Sequence, residues 1–435
     1  MPNFSAPLVR SPAYQVSKVE KLNAEWQSDG VIACCALVVY GIGFYALATA
    51  VGSKVQGLRR FLPAAILWHV IVFLFISLWV MPFYAPASDA YLYHHEAIQV
   101  ANAIRAGNFA NISFDLGTAA VPTFIGIVYA PFGGDVYGML FLCSSLSLLS
   151  AVFFIRAFAK CSKSPISARY YYYILFMPSL SMWSATVGKD SIVAVGLALV
   201  AYGIATAFEN EYARALLPFC SGIALVAIIR LHIALIVIMA AALAALWPQL
   251  SSRRATRLGM AVLLLGITAS LIPITARFVG LKEFSLDSAE ERRGALAAAN
   301  NYGGSRFDQG GATDASLANL PVGMWNFFVR PYPWEAHNQN AALASAENVL
   351  LLWIITSALG GVRQIWSSAR NNRYLIFCSF MSVALVVLFS SIQNAGLLSR
   401  QRVQVLPFLL AVFLATPAVR LLPSKVFLPV SMRGK

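Results

Sequence analysis

The stretch "VIACCALVVYGIGFYALATAV", residues 31–51, contains no charged residue. A run of this length can cross the hydrocarbon core of a bilayer as a helix. Similar runs recur along the 435 residues of the chain, of which 59% are hydrophobic and only 11% are charged. Because a bilayer offers no hydrogen-bond partners to the backbone, these runs must be helical. The sequence therefore predicts an all-α polytopic membrane protein.

Apolar runs of this kind predict about eleven transmembrane helices, within a range of ten to twelve. They lie near residues 31–51, 62–82, 135–158, 170–187, 190–208, 215–229, 233–247, 258–276, 345–362, 374–392 and 403–419. The apolar piece 117–131 is too short for a span and suits a re-entrant or interfacial helix. The predicted organisation is a polar N-terminal segment (1–30), one transmembrane domain (31–420) with external loops 83–134 and 277–344, and a basic cytoplasmic tail (421–435).

The net charge of +14 follows the predicted membrane topology. One set of loops holds 18 Lys and Arg against two acids: 52–60, 156–169, 209–214, 248–257, 363–373 and the tail from 420. This set is predicted to be cytoplasmic by the positive-inside bias. The rest of the chain is near neutral and is predicted to face outward. The basic charge is thus explained without a nucleic-acid partner, and the first apolar run is expected to remain as an anchor and not as a cleaved signal.

Two acidic points lie on the predicted outer side. In "SDAYLYHHEAIQV", residues 88–100, a helix would place Asp89, Tyr93 and Glu96 on one face. In "MPSLSMWSATVGKDSIVAVG", residues 177–196, Lys189 and Asp190 separate two apolar runs. Each aspartate could carry chemistry or simply cap the helix that it begins, with Lys189 as an ion-pair partner of Asp190. Both interpretations stay open at this point.

Arginines form the second group of candidates. Arg230, with His232, interrupts about thirty apolar residues in "AIIRLHIALIV" (227–237), and an arginine at that depth needs a partner or water. Further arginines stand on the outer side, against the positive-inside bias, in "FFVRPYPWEAHN" (327–338) and "NAGLLSRQRVQVLPF" (394–408). The forked donors of arginine match phosphate oxygens, which predicts an anion site, although a structural pairing with a carbonyl or an acid would also explain them. The candidate substrate-binding residues are Tyr93, Glu96, Lys189, Arg230, His232, Arg330, Trp334, Glu335, Arg400 and Arg402.

Outer carboxylates together with outer arginines suit glycosyl transfer from a polyprenyl-phosphate carrier. A carboxylate can take the proton from an acceptor hydroxyl as that hydroxyl attacks the anomeric carbon. The arginines can stabilise the charge that grows on the leaving phosphate. No metal ligands are predicted and no particular cofactor is indicated, although a divalent cation is left open.

The order of "SDAYLYHHEA", "VPTFIGIVYAPFGGDVYG", "MPSLSMWSATVGKD" and "SRQRVQVLPF" resembles bacterial membrane proteins of the GT-C glycosyltransferase superfamily and the related exopolysaccharide and O-antigen polymerases, over roughly residues 62–415. The resemblance implies a GT-C-like fold in the bacterial inner membrane with an active site facing the periplasm. It also implies that Asp89 and Asp190 are catalytic and that arginines hold the donor phosphate. The acid pair seen in many members is missing because Ala90 follows Asp89. Expected partners are a polyprenyl-phosphate-linked sugar or glycan, the lipid bilayer and other polysaccharide-assembly membrane proteins.

Three alternatives to a monosaccharide transferase remain. A Wzy-type polymerase would transfer a growing glycan from polyprenyl diphosphate onto a lipid-linked repeat unit. A transporter or flippase of a lipid-linked or anionic solute could use Arg230 and His232 along its pathway. A structural protein of the assembly machinery is the third. Secondary transporters commonly show two related halves, and this sequence shows no such internal symmetry.

Overall fold

The computed structural model describes residues 30–84, 89–112, 115–162, 166–248, 254–279, 287–288, 290–291, 294–295, 317–336, 339–392 and 394–414. Within these residues the regular secondary structure is helical, without strands. The predicted N-terminal segment (1–30, save Gly30) and the basic tail (421–435) lie outside the described residues, as does about half of the external loop 277–344. The all-α polytopic class predicted from the sequence is confirmed for the part that is described.

The helices, in chain order, are α1 (Gly30–Gly52), α2 (Leu62–Phe75, continued by Ile76–Val80 and Met81–Tyr84), α3 (Asp89–Arg105), α4 (Ala120–Tyr129), α5 (Val136–Cys161), α6 (Ala168–Phe176), α7 (Pro178–Ser184), α8 (Lys189–Phe208), α9 (Tyr212–Leu246), α10 (Arg254–Val279), α11 (Leu320–Val329), α12 (Gln339–Leu359), α13 (Val362–Arg370), α14 (Arg373–Phe389) and α15 (Ala395–Phe413).

Seven of the described helices are long and apolar enough to cross a membrane, and the bent pair α13–α14 raises the number to eight if it is one span. The seven are α1, α2, α5, α8, α9, α10 and α12. The pair α13–α14 is bent by 119°. The eleven predicted spans are therefore not confirmed.

Local sequence explains where the count differs. The predicted span 170–187 is divided into the short helices α6 and α7, with extended backbone at Met177. The residue before a proline is biased away from the helical region, and Pro178 follows Met177. The helix predicted over 403–419 begins instead at Ala395. The first half of α15 is therefore polar, and the helix as a whole is not apolar enough to count as a membrane span. Residues 117–131 form a short apolar helix, too short for a span, as predicted.

The first and last residues of α9 lie close to the last turn of α5, so both ends of this long helix are at one end of the helix bundle. Glu211, which precedes α9, accepts a hydrogen bond from the ammonium of Lys160 in the last turn of α5 at 2.8 Å. Trp247, which follows α9, donates its indole N–H to the carbonyl of Arg370 at the end of α13 at 3.1 Å.

The segment between α13 and α14 also contacts α5, because the amide of Asn372 donates to the carbonyl of Cys161 at 2.8 Å. A straight helix of the length of α9 would hold its ends about 52 Å apart. The chain therefore turns back within α9, and the turn lies at Arg230, whose φ of −144° and ψ of 74° are not helical. This position lies between the predicted spans 215–229 and 233–247.

The first half of α9 packs closely against α8 through small residues. A Cβ atom added to Gly222 would lie 2.6 Å from the carbonyl oxygen of Gly196 and 2.7 Å from the amide nitrogen of Val200. Close approach of backbones at glycine is typical of helix packing in membranes. The antiparallel pair brings the Arg230 turn next to the first turn of α8.

Helices α3 and α4 pack against each other next to the Arg230 turn, where α3 begins with Asp89. The guanidinium of Arg105 donates to the carbonyls of Tyr129 and Ala130 at 3.0 and 2.8 Å. The imidazole of His94 is hydrogen-bonded to the hydroxyl of Tyr129 at 2.9 Å. These contacts hold the second turn and the last turn of α3 against the C-terminal end of α4.

Candidate functional site

Asp190 is the centre of a buried ionic cluster. Its side chain is only 1% exposed, and its two carboxylate oxygens accept hydrogen bonds from different arginines. Arg230 donates to Oδ1 at 2.9 Å, and Arg400 donates through Nε to Oδ2 at 2.8 Å. The carboxylate is thus used to hold two guanidinium groups and not to cap α8, since no side-chain cap bond is present at the start of that helix.

Arg400 links this buried carboxylate to an exposed one. Its Nη1 donates to Oδ2 of Asp89 at 3.3 Å, and the Asp89 side chain is 49% exposed. One guanidinium therefore bridges the two aspartates that the sequence separates by a hundred positions. The structure brings the two predicted catalytic acids together and gives them different access to solvent.

Lys189 adds a third cation beside the two arginines. Its ammonium interacts electrostatically with Arg230, Asp190, Arg400 and Asp89. It forms no hydrogen bond or ion pair with any described residue. Three cations therefore face two carboxylates, which leaves a net local charge of +1. An uncompensated charge in a half-buried place is costly unless an anion or water joins it.

The turn before α8 explains how Lys189 and Asp190 reach this position. Gly188 has φ 158° and ψ −167°, a combination that is essentially restricted to glycine. A Cβ atom at this position would lie 3.4 Å from the ring of Tyr93 on α3. The glycine is therefore required for the backbone of the tight turn, whereas a Cβ atom would meet Tyr93 at an ordinary contact distance.

Tyr93 packs behind Asp89 at the base of this cluster. Its side chain is 4% exposed, and burial, reinforced by the Asp89 carboxylate, raises the pKa of its phenol above the ordinary range. The phenol is therefore neutral at physiological pH. Glu96, one turn further along α3, is exposed and forms no hydrogen bond or ion pair with the described residues.

Two residues that the sequence analysis did not select complete the cluster. Gln401 accepts a short hydrogen bond from Nη1 of Arg230 and a second bond, of 2.8 Å, from the amide of Gln404. The ring of Trp183 lies 5.9 Å from the guanidinium carbon of Arg400, within cation–π range. Gln401 could have been noticed because it stands between two arginines at the start of α15.

Arg402 lies on the other face of α15 and belongs to a different set of contacts. Residues two apart on a helix do not face each other, so Arg400 and Arg402 point in different directions. Arg402 is fully buried, and its guanidinium donates to the carbonyls of Phe327 and Arg330 and to the side chain of Asn348. All three guanidinium nitrogens donate to acceptors within the protein, so Arg402 holds α11 against α15.

The predicted residues Arg330, Trp334 and Glu335 form a small structural unit beyond α11. Arg330 lies 3.5 Å from a carboxylate oxygen of Glu335, and its guanidinium carbon is 5.5 Å from the ring of Tyr332. The Tyr332 and Trp334 rings stack with centroids 4.9 Å apart, and Trp334 is 76% exposed. No described contact joins this unit to Asp190 directly; it is connected to α15 through Arg402.

His232 follows the Arg230 turn without joining the ionic contacts. Its ring is partly buried, and Nδ1 has no hydrogen-bond partner within the described residues. The described part of the structure therefore groups six of the twelve predicted residues in one cluster. They are Asp89, Tyr93, Lys189, Asp190, Arg230 and Arg400.

The donor set of the cluster does not fit a divalent cation. Both oxygens of Asp190 already accept hydrogen bonds from arginine, and Asp89 is the remaining carboxylate. Three cationic groups would surround any metal ion placed between the two acids. Among the described residues, no group of three or more His, Cys, Asp and Glu side chains is arranged to hold a metal.

No protein-family model matches the chain, and neither does any curated protein or solved structure.

Proposed function

We propose that this protein transfers a glycosyl group from a polyprenyl-(di)phosphate-linked donor, on the external face of a bacterial inner membrane, in the synthesis of a cell-surface polysaccharide or glycoconjugate. One observation carries the proposal. An exposed carboxylate, Asp89, is hydrogen-bonded to Arg400 and lies within electrostatic range of Lys189, a cation that has no hydrogen-bond or ion-pair partner among the described residues. This pairing of a base with an anion site matches the two needs of the reaction.

Asp89 is the proposed general base. Its carboxylate takes the proton of the acceptor hydroxyl while the hydroxyl oxygen forms a bond to the anomeric carbon of the donor. The bond between that carbon and the phosphate oxygen breaks, and its electron pair leaves with the polyprenyl phosphate or diphosphate. The exposure of Asp89 is consistent with this role, because an acceptor sugar must be able to reach it.

Lys189 and Arg400 are the proposed binding groups for the leaving phosphate. The ammonium of Lys189 has N–H donors that are not used by described residues, and Arg400 is hydrogen-bonded to Asp89. An anion bound between Lys189 and Arg400 would therefore be close to the proposed base. Developing negative charge is stabilised most by donors that are already in position.

Asp190 is proposed as a positioning residue and not as a second base. Both of its oxygens accept hydrogen bonds from guanidinium groups, and its side chain is closed to an acceptor. Its negative charge keeps Arg230 and Arg400 in place at the turn of α9 and at the start of α15. The two aspartates therefore have different roles in this proposal.

The external location is supported by the distribution of charge along the bundle. Lys160 and Asn372, at the end of the bundle away from Asp190, belong to the basic loops that the positive-inside bias places in the cytoplasm. The Asp190 cluster would then open to the periplasm. The substrate would approach from the outer leaflet, where its lipid tail is anchored.

A binding experiment tests the anion site and also separates the two kinds of donor. The purified full-length protein is titrated with polyprenyl monophosphate and polyprenyl diphosphate. Lys189→Gln should weaken binding by about 10- to 100-fold, the value of one charged hydrogen bond. Asp89→Asn should keep or increase the affinity, because it removes a negative charge next to the phosphate. A preference for the diphosphate would favour the polymerase.

The matched control for both variants is Glu209→Gln, an exposed carboxylate beyond the far end of α8. It should bind the lipid phosphates as the unaltered protein does. Equal affinities for the unaltered protein, Lys189→Gln and Asp89→Asn would contradict an anion site at this cluster.

A further inference from the structure

A second basic site lies at the opposite end of the bundle. A cavity of about 680 Å³ opens between the loop that joins α1 to α2, the last turns of α5 and the second half of α8. On α5, Cys143 lies level with the Asp190 cluster, because its sulfur is 3.9 Å from the hydroxyl of Ser191, the residue after Asp190. Arg156, which lines the cavity, is thirteen residues further along the same helix, or about 20 Å. The cavity is therefore separate from the cluster described above.

The charge of this cavity is strongly one-sided. Four of its described lining residues are cationic and none of them is acidic; the cations are Lys54, Arg60, Arg156 and Lys160. Lys160 is paired with Glu211 outside the lining, at 2.8 Å. The other three form no ion pair with any described residue.

The two arginines of the cavity are held in place by neighbouring aromatic rings. The guanidinium carbon of Arg156 lies 4.8 Å from the ring centre of Tyr202, and that of Arg60 lies 4.9 Å from the ring centre of Phe61. The hydroxyl of Tyr171 donates to the carbonyl of Gln56 at 2.8 Å, which fixes the loop between α1 and α2. Groups that are already ordered lose less entropy when they bind a ligand.

We propose that this cavity binds a phosphate-bearing anion, the headgroup of an anionic phospholipid in the leaflet at that end of the bundle. The positive-inside bias alone accounts for basic residues in these loops, but it does not require them to converge on one concavity without acidic neighbours. Basic pockets between membrane helices on the cytoplasmic side are suited to anionic headgroups, and arginine pairs well with phosphate oxygens. A soluble phosphate compound has the same chemistry, so the experiment must distinguish the two sources.

The test uses the purified full-length protein in detergent and follows its thermal unfolding as a probe is added. The probes are phosphatidylglycerol, the zwitterionic phosphatidylcholine, and inorganic pyrophosphate. Phosphatidylglycerol should raise the unfolding temperature at lower concentrations than phosphatidylcholine does. The midpoint of this effect should rise about 5-fold in Arg60→Gln and roughly 25-fold in Lys54→Gln/Arg60→Gln, since each cation near an anionic surface contributes about one factor of five.

Arg59→Gln is the matched control. Arg59 is the exposed neighbour of Arg60, carries the same charge and does not line the cavity. Both Lys54 and Arg60 are exposed, so the variants should fold.

Stabilisation by pyrophosphate that is lost in Arg60→Gln but kept in Arg59→Gln would support the site and assign it to a soluble phosphate. Equal midpoints for Arg59→Gln and Arg60→Gln with every stabilising probe would overturn the site, and equal effects of the two lipids would overturn its assignment to a phospholipid headgroup. This outcome does not depend on the proposed glycosyl transfer, because no residue is shared between the two sites.

Discussion

Replacement of Asp190 by asparagine removes the negative charge between two arginines without changing the size of the side chain. The oxygen of the asparagine amide can still accept a hydrogen bond from one arginine. Its NH₂ group is a donor and would face the other guanidinium, which is also a donor, so that hydrogen bond is lost. Arg230, which is 8% exposed, is then left as a buried cation without its counter-ion. Breaking one partner of a buried ion pair typically costs about 3–5 kcal/mol, so we expect Asp190→Asn to lower the free energy of unfolding by that amount.

The assay is thermal unfolding of the purified protein in detergent, with a double-mutant cycle. Arg230→Gln alone should also destabilise the protein, and Asp190→Asn/Arg230→Gln should cost clearly less than the sum of the two single changes, because the unpaired charge is gone. Glu209→Gln, at the exposed far end of α8, is the control and should change stability by less than about 0.5 kcal/mol. Additive costs, or an Asp190→Asn protein as stable as the control, would refute the assignment of Asp190 as the buried counter-ion.

Three further changes test the rest of the structure. Arg402→Lys should lower stability by about 2–4 kcal/mol, because an ammonium cannot satisfy every acceptor around the fully buried guanidinium, and unfolding measurements would show it. Gly222→Leu should prevent assembly of the first half of α9 with α8, whereas Gly43→Leu, with no atom within 4 Å of its added Cβ, should insert and fold normally, as size-exclusion profiles would show. Burial lowers the pKa of His94 to about 4, below the ordinary value of 6.5, so the unfolded chain binds a proton first as the pH falls. The stability difference between the unaltered protein and His94→Gln should therefore be constant above pH 6.5, and between pH 6.5 and 4 the unaltered protein should lose about 3 kcal/mol more stability than His94→Gln does.

The apolar runs were sufficient to predict the class of fold, because hydropathy alone determines which segments enter a bilayer. The exact number of spans was not predictable in the same way. Pro178 divides one predicted span into two short helices, and α15 begins eight residues before the start of another predicted span. Both differences depend on where a helix begins and ends within its tertiary surroundings. A run of apolar residues carries little information about such ends.

The candidate site was predicted in part. Asp89 and Asp190 were predicted as acids on the outer side and Arg400 as an outer arginine that runs against the positive-inside bias, and the structure places them in one cluster. The different exposure and hydrogen-bond partners of the two aspartates could not be inferred from the sequence, because both come from contacts between helices far apart in the chain. Arg402 was grouped with Arg400 for the same reason, but a difference of two positions directs it to the opposite face of α15.

The central claim is that Asp89 supplies the base for glycosyl transfer. Its most direct test is the amount of surface polysaccharide made by cells whose chromosomal copy carries Asp89→Asn, with protein level and membrane insertion matched to cells carrying Glu209→Gln. We predict that the Asp89→Asn cells lose the glycan and accumulate its lipid-linked precursor, whereas the Glu209→Gln cells make normal amounts. Normal glycan output from Asp89→Asn cells at a normal protein level would contradict the claim.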